Sequence, residues 1–120
     1  MNRRELTRQY RETPRPMGVW CVRHVASGRC LVGSSRDLPA MLNRQRFQLE
    51  RGVHPNRALQ ADWDALGADA FAFETLDTLR PRDAPDYDPA PDLATLEALW
   101  LEQLAPFGER GYHGTRGRGR

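Results

Sequence analysis

The chain is predicted to fold as a small α+β domain, with a three-stranded antiparallel sheet flanked by helices in the order β-β-α-α-β-α. Three observations carry that expectation. Strand-like runs stand at residues 17–25, 30–33 and 71–76, and the apolar residues between and after them recur at helical spacing. The chain is 120 residues long, 39% apolar and 28% charged, which suits one hydrophobic core and leaves little for a second.

Taken in order, residues 1–16 form a polar, basic N-terminal arm whose Thr13-Pro14-Arg15-Pro16 resists any helix. A Val- and Trp-rich strand follows, then the turn Ala26-Ser27-Gly28-Arg29 and a second strand, which together predict a β-hairpin. Pairing Val25 with Cys30 puts Trp20, Val22 and His24 on one face with Leu31 and Gly33. Cys21 and Cys30 then share the other face several pairs apart, as buried thiols and not a disulfide. Asp37 precedes a helix whose Leu38, Met41, Leu42 and Leu49 keep helical spacing as far as Gly52. A second helix, from about Asn56 to Leu66, turns Leu59, Trp63 and Leu66 inward and stops at Gly67. The alternation from Phe71 to Leu76 predicts the third strand. Residues 80–92 hold four prolines and read as a loop, after which Asp92 caps a last helix with the stripe Leu93, Leu96, Trp100 and Leu104, ended by Pro106.

Composition narrows the function. No apolar run approaches the ~20 residues of a membrane span, and no h-region follows the Arg-rich start, so a cytoplasmic location is expected. His24, His54 and His113 are scattered, and the two cysteines lack zinc-site spacing. All 18 basic residues are arginine. Residues 17–107 carry nine arginines against thirteen acidic residues, whereas residues 1–16 and 108–120 are each net +3. An acidic body with basic ends is either an electrostatic footprint for nucleic acid or a codon bias with solvated tails.

The hairpin carries Gly18-Val19-Trp20 and, eleven residues after Trp20, Leu31-Val32-Gly33 followed by Ser34-Ser35. With Asn56-Arg57-Ala58-Leu59-Gln60-Ala61-Asp62-Trp63, Ala70-Phe71-Ala72-Phe73-Glu74, Leu96-Glu97-Ala98-Leu99-Trp100 and Gly111-Tyr112, the sequence resembles small bacterial members of the GIY-YIG nuclease family over residues 17–113. The resemblance implies a Mg²⁺-dependent endonuclease fold. In that family two tyrosines orient the nucleophile, an arginine clamps the phosphate, a glutamate binds Mg²⁺, and a late asparagine supports the site.

Those positions here hold Trp20, Leu31, Met41, Glu97 and His113, so only the glutamate survives. Trp20 has no titratable hydroxyl, Leu31 has no polar group, and loss of a phosphate-clamping arginine costs about 10³–10⁵ in rate in other phosphoryl-transfer systems. One carboxylate is a poor Mg²⁺ site by itself. Arg44, three residues after Met41, is a candidate displaced clamp, and Tyr112 and His113 are candidate acid–base groups.

The leading expectation is therefore a degenerate nuclease-like domain that binds nucleic acid, DNA foremost, with weak or no cleavage. Its contacts would be Arg36, Arg44, Arg46, Arg51 and Arg57, with Arg116, Arg118 and Arg120 on the Gly/Arg tail 114–120. The alternatives are an active Mg²⁺-dependent endonuclease with displaced groups, and a homodimerising interaction module using Leu6, Tyr10 and the 80–92 loop.

Overall fold

A computed structural model describes residues 15–80, 82 and 84–114. Leu6 and Tyr10 of the arm and Arg116, Arg118 and Arg120 of the tail lie outside the described residues. Strands β1 (Met17–His24) and β2 (Cys30–Ser35) form the hairpin, and β3 (Phe71–Leu79) pairs with the free side of β1. All pairs are antiparallel and the sheet order is β2-β1-β3, so β1 is central. Its first six residues are buried, and its alternating side chains feed two different cores.

Trp20 and Val22 face helices α1 (Leu38–Arg51) and α2 (Arg57–Leu66), whose Leu38, Leu49, Leu59 and Trp63 close the larger core. Val19 and Cys21 face the other way, with Cys30 and Val32 of β2. They meet Leu96, Trp100 and Leu101 of helix α3 (Ala90–Leu104). The sheet is thus sandwiched between helical layers, which is why its central strand reads as a continuous apolar run.

The α+β order and the facing of the hairpin agree with the sequence expectation, but several details differ. The register is Arg23 opposite Cys30, two residues from the expected pairing. The chain leaves the ladder earlier because the Val25 N–H donates to the Ala70 carbonyl at 3.0 Å, tying the turn to the start of β3. A two-residue shift preserves the faces. It also brings Cys30 to within two pairs of Cys21, where the expected pairing put it four pairs away, and both thiols are free. Leu66 and Leu104 are exposed and not part of the core. Helix α3 begins at Ala90 and not at Asp92, because Pro91 fits the first turn, where no N–H is needed. The Asp92 carboxylate instead accepts the Tyr87 hydroxyl at 2.7 Å.

Two glycines explain the signature triplets physically. A Cβ on Gly18 would stand 2.0 Å from the Asp77 carbonyl oxygen of β3. One on Gly33 would stand 2.5 Å from Cζ2 of Trp20, its cross-strand partner. Among the described residues no helix is long and apolar enough to cross a membrane.

Candidate functional site: a cleft between two helices and the end of a strand

Strand β2 ends at Ser34-Ser35, and Ser35 turns the chain into α1. Its hydroxyl accepts from the Asp37 N–H at 2.9 Å and donates to the Asp37 carbonyl at 3.0 Å. A cleft of about 470 Å³ opens beside this turn, lined by Ser34, Ser35, Arg36 and Met41 and by Ala90, Ala94, Glu97 and Ala98 of α3. The alanines keep that helix wall low. Ser34 Oγ donates to Glu97 Oε1 at 2.7 Å and so fixes the carboxylate against the strand end. Arg36 lies at the same cleft, with its guanidinium 2.8 Å from Asp88 of the proline-rich loop.

Two of the five residues that the family resemblance singled out, Met41 and Glu97, therefore line one cleft. Met41 also packs, with Leu31, against the core that holds Trp20. Trp20, Leu31 and Met41, three of the four substituted residues, thus share one apolar cluster. The Trp20 indole lies against Gly33 and is 6% exposed, and its Nε1 finds no hydrogen-bond partner among the described residues. Gln45 Nε2 donates to Met41 Sδ at 3.4 Å. Neither indole, isobutyl nor thioether takes a proton from water near neutral pH.

The chain's last described turn closes the edge of β2. Tyr112 N–H donates to the Cys30 carbonyl at 3.0 Å, and Val32 N–H donates to His113 Nε2 at 2.9 Å. Burial holds the His113 pKa below the ordinary histidine value, while the nearby Glu97 charge pulls the other way. Its ring is thus a neutral acceptor. Tyr112 is buried, and its hydroxyl donates to Asp62 Oδ2 at 2.7 Å. Burial first, then that carboxylate, push the phenol pKa far up. Asp62 also pairs with Arg29 at 3.0 Å, whose guanidinium lies 4.7 Å over the Tyr112 ring. Both candidate acid–base groups are thus engaged in holding the C-terminal segment to the sheet and α2.

Sequence reasoning missed that Arg29–Asp62–Tyr112 cluster and a second buried polar group. His54 Nε2 donates to Gln45 Oε1 at 2.5 Å, the His54 N–H donates to Gln60 Oε1 at 3.0 Å, and Gln60 Nε2 donates to the Leu49 carbonyl at 3.0 Å. A glutamine inside an apolar helical stripe, as Gln45 and Gln60 are, was the available signal.

The five arginines singled out in the body separate in space. Arg44 does not share Met41's cleft; with Arg46 it borders a groove on the outer side of α1. Arg46 lies 4.3 Å over the Phe73 ring and Arg51 4.8 Å over Phe47, and Arg57 is exposed at the start of α2.

The architecture defines a class: the chain has a GIY-YIG-like nuclease-domain fold. It is similar to the catalytic domain of the homing endonuclease I-TevI, with a TM-score of 0.67 and 21% identity over 81% of this chain and 96% of that one. It is also similar to a mutant of the same catalytic domain of that intron endonuclease, with a TM-score of 0.62 and 19% identity over 75% of this chain and 84% of that one. No family model and no curated protein matches the sequence.

Such nuclease folds imply a divalent metal, for which the cleft offers a partial donor set. Glu97 is the cleft's one carboxylate, and one of its oxygens already accepts from Ser34. Mg²⁺ wants near-octahedral oxygen donors, commonly one or two carboxylates with substrate oxygens. Among the described residues no group of three or more His, Cys, Asp or Glu side chains is placed to hold an ion.

Proposed function

We propose that this protein is a nucleic-acid-binding domain on a GIY-YIG-like scaffold, with DNA as its foremost ligand and with phosphodiester cleavage lost or severely weakened. One observation carries the reading: Trp20 lies in one apolar core cluster, Leu31 and Met41 pack against it, and Met41 also lines the cleft. Hydrolysis needs an activated water and stabilisation of the charge developing on phosphorus-bound oxygens. Indole, isobutyl and thioether groups supply neither. What the cleft keeps is a cation and a carboxylate, Arg36 and Glu97. The remaining attraction for phosphate comes from arginines, which bind a backbone without reading its sequence.

The test pairs plasmid nicking in Mg²⁺ or Mn²⁺ with filter-binding titrations from low to physiological salt, on wild type and Glu97→Ala. Salt-dependent binding by both proteins without nicking is the expected result. Absent or salt-independent binding overturns the nucleic-acid reading. The retained Glu97, with Arg36 on the same cleft, favours a second reading as an active endonuclease, and metal-dependent nicking that disappears in Glu97→Ala would establish it.

A further inference from the structure

The outer side of α1 is built unlike the rest of the described surface. Ala40, the pair Asn43-Arg44, Phe47 and the pair Glu50-Arg51 recur at three- to four-residue spacing. They form a stripe opposite the buried Leu38, Gln45 and Leu49. A groove of about 520 Å³ runs along this stripe and takes in Arg46 at its side. Phe47 stands in it 55% exposed, and among the described residues it is the one aromatic side chain in the exposed class. The Arg51 guanidinium sits 4.8 Å over the ring, holding it in place while more than half of the residue stays open.

Charge points the same way. Residues 43–51 carry Arg44, Arg46 and Arg51 against Glu50 alone, within a body (residues 17–107) that is net −4. An exposed aromatic ring among guanidinium groups suits a polyanion that also offers flat faces. A duplex offers the phosphates but keeps its bases stacked on one another. An unpaired strand offers both, and base–aromatic stacking tolerates any sequence because every base has a π-face.

We propose that this groove binds an unpaired nucleic-acid strand, with a base stacked on Phe47 and the backbone phosphates on Arg44, Arg46 and Arg51. The site lies outside the cleft that holds Glu97, and the proposal rests on the nucleic-acid reading above. It sharpens that reading by naming the strand form and the surface.

Fluorescence anisotropy of the full chain with labelled oligothymidylate, oligouridylate and a duplex of equal length tests it. Phe47→Ala, Phe47→Trp and Arg44→Gln are measured beside wild type, with circular dichroism confirming that each is folded. The expected result is tighter binding of single strands than of duplex. Phe47→Ala should weaken the single strands about tenfold, and the duplex by less than about twofold. Phe47→Trp should retain single-strand binding, and Arg44→Gln should lower the salt slope by about one for every probe. If Phe47→Ala changes no affinity, or if duplex binds as tightly as single strands, the stacking groove is wrong while nucleic-acid binding stands. If wild type binds no probe at low salt, the functional reading itself falls.

Discussion

Gly33 and Trp20 face each other across β1 and β2, and the missing side chain of the glycine lets the indole lie down on the strand. A methyl group there would need to stand 2.5 Å from Cζ2 and 2.7 Å from Cε2, with the ring already walled in by the core. Gly33→Ala should therefore destabilise the fold by about 1–3 kcal/mol, measured by urea denaturation, as overpacking of a filled site does. Two histidines have an equally definite task. His54 Nδ1 accepts the Asn56 N–H at 3.0 Å and His113 Nε2 accepts the Val32 N–H at 2.9 Å, so each ring must be neutral. Burial lowers both pKa values from the ordinary 6.5. Above about pH 6.5 the folded and unfolded rings are both neutral. Below it the unfolded rings take up protons that the folded ones refuse, so stability falls with falling pH until the lower folded-state values are reached. Denaturation followed as the pH falls below about 6.5 should show this loss, at no more than about 1.4 kcal/mol per pH unit for each histidine. The loss begins above the range where the Glu74 carboxylate, held low chiefly by its hydrogen bond from Arg23, adds its own.

Among the elements, α1 positions the most. Asp37 Oδ1 accepts the Ala40 N–H at 3.1 Å, Pro39 occupies the first turn, and Gly52 ends the helix in the left-handed region at φ 76°. These ends were legible in the sequence because capping is chemistry between near neighbours. Asp37→Ala should cost about 1 kcal/mol, read as a lower urea midpoint. Its exposed ion pair with Arg15 adds little to that figure. The boundaries at α3 were less legible. A proline just inside the first turn and an aspartate are both starting signals, and the choice between them was made by Tyr87, whose hydroxyl takes the Asp92 carboxylate. Leu66 kept helical spacing yet is exposed, because α2 reaches its last turn beyond the edge of the core that Leu59 and Trp63 fill.

On the scale of the whole molecule, the charge pattern and the layering bear on function together. Two helices cover one face of the sheet and one covers the other, and the cleft forms where β2 ends between α1 and α3. The body is net negative, so attraction for a polyanion must come from local arginines and from the basic ends. Removing residues 114–120 deletes Arg116, Arg118 and Arg120. Filter binding of the shortened protein should show weaker affinity and a flatter dependence of log K on log salt, by about 0.7–0.9 for each phosphate no longer neutralised. An unchanged slope would mean that these arginines touch no phosphate.

The sequence by itself determined the order of the elements, the inward faces of the strands and the caps of α1. Those are local properties, written in periods of two and 3.6 residues and in the chemistry of neighbours. Only the tertiary structure decided the hairpin register, because the N–H of Val25 is claimed by Ala70. It also decided that Ser34 holds Glu97, 63 residues away, and that His113 accepts from Val32, 81 residues away. And it decided that Trp20, Leu31 and Met41, ten or more residues apart along the chain, share one apolar cluster. Such contacts depend on how the layers stack around β1, and no periodicity within a single segment encodes that.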